Sequence, residues 1–106
     1  MPEMTIDYYT RAQRASGPHA SDFMRLYMVP GMFHCAGGYG PDQFDALDTV
    51  VNWVEAGTAP IDIKATQAEG TRVVRTRPLC PYPRVARYQG KGSEDDAASF
   101  RCMTPN

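Results

Sequence analysis

The residues with the most reactive chemistry stand side by side: His34 and Cys35, inside LYMVPGMFHCAGGYGPD, Leu26 to Asp42. An imidazole takes and returns protons near neutral pH, and a thiol serves as nucleophile or disulfide partner. Pro30, Gly31, Gly37, Gly38, Gly40 and Pro41 surround the pair, so it rides on an irregular turn. That turn follows an apolar run and precedes a helical pattern. Open α/β folds place reactive groups at such positions, beyond the C-terminal end of a strand.

In the α/β-hydrolase chain order the nucleophile comes first, the acid second and the histidine last, on a loop after the final strand. His34 fits that last slot, although position alone does not separate a catalytic histidine from a solvated one. The other members of such a set are not found in this sequence. No G-x-S-x-G occurs; Ser93 sits in GKGSEDD with the wrong glycine spacing and follows His34. Ser16, Ser21 and Asp22 precede His34 but lie in a turn without a strand–elbow–helix around them. A Cys35–His34 dyad is not expected either, because neighbours on an extended turn point apart.

The three cysteines, Cys35, Cys80 and Cys102, lack C-x-x-C spacing, which argues against a zinc site or a redox motif. Cys80 and Cys102 flank a tail rich in proline and glycine, the kind of segment that gains most from a covalent tie. Closing that loop would stabilise by about 3 kcal/mol in the chain-entropy model. Three free thiols is the other reading of the same count.

Several elements must position these groups. A helix is predicted over Thr5–Ala15, with Ile6, Tyr9, Ala12 and Tyr8 on one face and Gly17-Pro18 as its stop. Phe23–Val29 is apolar on both alternating faces except at Arg25, which predicts a strand covered on both sides. A second helix follows the turn, with Asp42 as N-cap, Asp45 near the positive end of the dipole and Gly57 as the stop. Its stripe of Phe44, Leu47, Val50, Val51 and Val54 predicts one buried face, with Trp53 packing beside it. Ile61–Ala65 alternates as a short edge strand, and the region after Gly70 reads mostly as proline-stiffened loop with room for one short strand. The fold class is therefore α/β, in the order helix, strand, histidine loop, helix, edge strand, stapled tail. A strand covered on both faces needs neighbours that these residues barely supply, so residues 1–106 read as part of a sheet.

A net charge of −1 gives no electrostatic case for a nucleic acid or an anionic membrane surface. Arg72, Arg75, Arg77, Arg84 and Arg87 are spread among prolines and read as a solvated face. No apolar run is long enough to span a bilayer. MPEMTIDYY lacks the basic start and apolar stretch of a signal peptide, so none is expected in this chain.

Three motifs in order carry a family resemblance: VPGMFHCAGG, WVEAGTAP, and RPLCPYPRVARYQGKG followed by FRC. Together they make the chain resemble the C-terminal end of the tannase and feruloyl esterase family. The resemblance implies a secreted or periplasmic α/β-hydrolase with a lid, cleaving carboxylic esters of phenolic acids through a serine–aspartate–histidine triad. It implies that His34 is the triad histidine and that Cys80 pairs with Cys102. It also implies that Cys35 pairs with a cysteine beside the serine, one outside these residues. Serine, aspartate, oxyanion hole, lid and the family's calcium site would all lie upstream, leaving this chain with no cofactor of its own. The partner implied is a small aromatic ester, and the chain alone is expected to be inactive. The alternative is a stand-alone, non-catalytic piece that self-associates or complements another chain.

Overall fold

The computed structural model describes residues 2–105. Helix α1 spans Pro2–Ser16, with Pro2 at a position where its missing N–H costs nothing and Glu3 in the first turn. Gly17 ends it in the left-handed region at φ 82°. Of the face expected to be buried, Tyr9 is buried and its ring meets Tyr82 edge-on at 6.3 Å, whereas Tyr8 faces solvent.

The predicted strand Phe23–Val29 is not one. The segment is extended, but its ladder shrinks to a single bridge between Tyr27 and Pro81, with Tyr82 N–H donating to the Leu26 carbonyl at 2.7 Å. A strand exists only by pairing, and no described segment lies alongside over more than that one step. Phe23 is accordingly exposed.

Helix α2 spans Ala46–Ala56. Its N-cap is Asp45 rather than the expected Asp42: Asp48 N–H donates to Asp45 Oδ1 at 2.8 Å. Gly57 closes it in the left-handed region at φ 68°, as its position after the apolar pattern predicts. The predicted buried stripe is instead open, with Leu47 76% and Val54 77% exposed. The helix forms as patterned, but among the described residues nothing covers that face. Trp53 is half-buried, with the Arg25 guanidinium 5.5 Å from its ring centroid.

Beyond α2 the structure is richer in strand than the sequence suggested. Strand β1 spans Ile63–Glu69 and pairs antiparallel with β2, Arg72–Leu79, around a turn at Gly70. Strands β3, Val85–Tyr88, and β4, Phe100–Met103, form a second antiparallel pair. The reading of a mostly irregular tail gave its prolines too much weight. In a two-stranded sheet every strand is an edge, so Pro78 is tolerated opposite Lys64 while TRVVRT supplies β-branched residues.

A small core lies between these pairs: Ala65, Leu79 and Cys80 are buried, and Ser99 is buried beside β4. Cys80 and Cys102 form a disulfide with Cα atoms 5.5 Å apart, stapling the end of β2 to β4. The arginines are not one solvated face. Arg75 pairs with Asp95 at 3.2 Å, and Arg77 is half-buried with its guanidinium 4.2 Å from the Phe100 ring centroid.

Candidate active site

The histidine turn is shaped by its own backbone. The Gly31 carbonyl accepts from Tyr39 N–H at 2.7 Å and Gly40 N–H at 3.1 Å, and Phe33 N–H donates to the Gly37 carbonyl at 3.0 Å. These bonds fold the two limbs so closely that a Cβ at Gly38 would overlap the Gly31 carbonyl oxygen, and one at Gly40 the Pro30 carbonyl oxygen. The glycine-rich composition is thus a packing requirement. His34 and Cys35 cap the closed ring, and both are exposed.

Asp42 braces the ring instead of capping the helix. Its Oδ2 accepts from Gly37 N–H at 2.7 Å. The following residue pairs with β1: Gln43 N–H donates to the Thr66 carbonyl at 3.0 Å and Thr66 N–H returns the bond at 2.7 Å. On the other side, the Pro60 carbonyl accepts from both Tyr27 Oη, at 2.8 Å, and Arg25 Nη1. Burial pushes the Tyr27 hydroxyl pKa up, against the opposing pull of the Arg25 charge. The loop therefore has two feet, one on β1 and one on the segment after α2. Sequence reasoning missed these supports, although the lone charge at Arg25 in an apolar run was their signal.

Cys35 takes φ 70°, unusual for a residue with a side chain. This reverses the expectation that the two side chains point apart: Sγ lies 3.1 Å from His34 Nδ1, within hydrogen-bond reach for sulfur. Cys35 is a free cysteine in this structure. Ser93 does not join the pair; its Oγ accepts from Asp95 N–H at 3.1 Å, fixing a tail turn. Asp22 faces His19 at 3.7 Å, and the Ser21 carbonyl accepts from Arg25 Nε. Among the described residues no three His, Cys, Asp or Glu side chains gather as a metal site, and no helix is long and apolar enough to cross a membrane.

Residues 1–103 match the family model for tannase and feruloyl esterase. The chain belongs to the tannase and feruloyl esterase family. It is 50% identical over 104 residues to the mono(2-hydroxyethyl) terephthalate hydrolase of Piscinibacter sakaiensis, a match covering 95% of this chain and 17% of that protein. With a probable feruloyl esterase of Arthroderma benhamiae it shares 38% identity over 107 residues, covering 95% of this chain and 20% of the relative. The fold is similar to the crystal structure of feruloyl esterase B from Aspergillus oryzae, with a TM-score of 0.84 and 28% identity. That match covers 95% of this chain and 24% of the solved one. The chain thus spans about a fifth of these curated relatives, and its mixed helix–strand fold resembles the C-terminal part of a feruloyl esterase.

Proposed function

We propose that this chain is the histidine-bearing C-terminal part of a serine esterase acting on carboxylic esters of phenolic and related aromatic acids, with His34 as general base and acid. The observation that carries this reading is His34 itself, exposed at the crest of a doubly footed glycine ring within a family-matched segment. Working with a serine and an aspartate from the remainder of the enzyme, the imidazole takes the serine proton as the hydroxyl attacks the ester carbonyl. It then returns that proton to the departing alcohol, and repeats the cycle with water to release the acid. Cys35 pairs in this reading with a cysteine beside the serine, tying base to nucleophile. The proposed proton transfers call on no cofactor held by this chain. The Cys80–Cys102 disulfide supports an oxidising setting, secreted or periplasmic.

The test joins this chain to the serine- and aspartate-bearing remainder of the terephthalate hydrolase, replacing the segment that matches it. Methyl ferulate hydrolysis should appear in the joined protein and fall at least about a thousandfold with His34→Ala. Turnover by the chain alone, abolished by the same substitution, would remove the need for outside partners and sink this reading.

The open face of α2 favours a second reading, in which the chain acts as a non-catalytic piece that self-associates or complements another chain. Leu47, Val50 and Val54, all exposed, form an apolar strip on a helix that is otherwise well made. Sedimentation distinguishes the two readings. A concentration-dependent dimer dispersed by Leu47→Glu with Val54→Glu supports the second, and a monomer that does not bind ANS rejects it.

A further inference from the structure

Away from His34, a cavity of about 430 Å³ opens between the two strand pairs. Its size is that of a small-molecule site. Leu79, Val85 and Phe100 give it apolar walls, and Pro41, Pro78 and Pro83 add flat, rigid faces. Such walls lose little conformational freedom when a planar group settles against them. Arginines supply the polar lining, and they are unequally engaged. Arg75 is paired with Asp95. Arg77 rests on the Phe100 ring and donates to the Thr76 carbonyl at 3.0 Å, while Arg84 is exposed at the margin. Among the described residues neither Arg77 nor Arg84 has a carboxylate partner, so the cleft is cationic as well as apolar. Burial and the neighbouring Arg75 charge lower the Arg77 pKa, against the opposing pull of Asp95 and Glu94.

We infer that this cleft binds an aromatic monocarboxylate, its ring against the proline and Phe100 walls and its carboxylate on the Arg77 guanidinium. Charge complementarity selects the anion, because a planar guanidinium matches a carboxylate through paired N–H donors. Flat walls select a ring over a flexible chain. The inference does not depend on His34 or on the proposed esterase reading.

The experiment is an amide NMR titration of the full chain with 3-phenylpropanoate, its methyl ester and octanoate. The aromatic acid should shift the Leu79, Val85 and Phe100 amides saturably and bind at least about tenfold more tightly than the neutral ester or the aliphatic acid. Arg77→Gln should weaken the acid at least about tenfold and leave the ester unchanged. Equal binding of acid and ester overturns the role of the arginine, and equal binding of octanoate overturns the aromatic preference. Shifts confined to the histidine loop, or none at all, overturn the site. The ligand comparison uses unaltered protein, so it stands even if Arg77→Gln disturbs the fold.

Discussion

Cys35 Sγ lies 3.1 Å from His34 Nδ1 and 4.0 Å from Nε2, so the sulfur addresses one side of the imidazole. In a serine–aspartate–histidine triad Nδ1 is the nitrogen that faces the carboxylate and Nε2 the one that serves the serine. A free thiol at this place competes for the aspartate's position, whereas a cystine sulfur has no proton to offer. Cys35→Ala should therefore move the nitrogen-15 resonance of Nδ1 and leave that of Nε2 nearly unchanged. Identical spectra for the two proteins would remove the contact from solution.

The thiol inventory should follow the same geometry. One thiol per folded chain should react with an alkylating reagent, at Cys35, and three after reduction and unfolding. Replacing Cys80 and Cys102 together by alanine should cost about 3 kcal/mol in urea unfolding. A loss below about 1 kcal/mol would mean that the strand pairs already hold the tail without the staple.

Two glycines with positive φ should respond differently to alanine. Gly57→Ala strains a helix stop at φ 68° but meets nothing within 4 Å, and should cost about 1 kcal/mol. Gly38→Ala adds to φ 104° a collision with the Gly31 carbonyl, and should cost more than about 2 kcal/mol. It should also shift the His34 ring signals, which Gly57→Ala should not. Equal losses in stability would show that the ring opens without resistance.

Tyr27 sets an alkaline limit. Its folded pKa is raised above 10.0 by burial, so the fold prefers the neutral phenol. This contribution is complete below about pH 10 and is lost as pH rises through the raised folded value. Tyr27→Phe should cost about 1 kcal/mol at neutral pH, from the hydrogen bond to Pro60, and should flatten the decline above pH 10. Urea midpoints measured across that range check both, and parallel curves for the two proteins would contradict the second.

Local chemistry made some features legible and distant packing concealed others. Gly17 and Gly57 announced both helix ends because a left-handed stop is a one-residue event. The Cys80–Cys102 tie is one of two readings of the cysteine count, and the family resemblance implies it. The predicted Phe23–Val29 strand failed for the opposite reason: its apolar pattern describes surroundings that no described segment provides. The same holds for Leu47 and Val54, whose spacing is right and which no described segment covers. The hairpins escaped notice because prolines suggested loop where edge strands accept them. At the candidate site, His34 and Cys35 stand out by residue type alone. Their mutual approach hung on one backbone angle, Cys35 φ, which no periodicity encodes.

The pairing of Tyr82 with Leu26 has a consequence for the order of biosynthesis. The histidine turn leaves the ribosome well before the segment that braces the chain leading into it, and Cys102 emerges later still. The histidine turn is thus built early and tightened late, so a nascent chain holds it on an unfinished mount until the tail returns. A chain halted or cut before Pro81 would keep every residue of the turn and lack the buttress that Tyr82 gives Leu26.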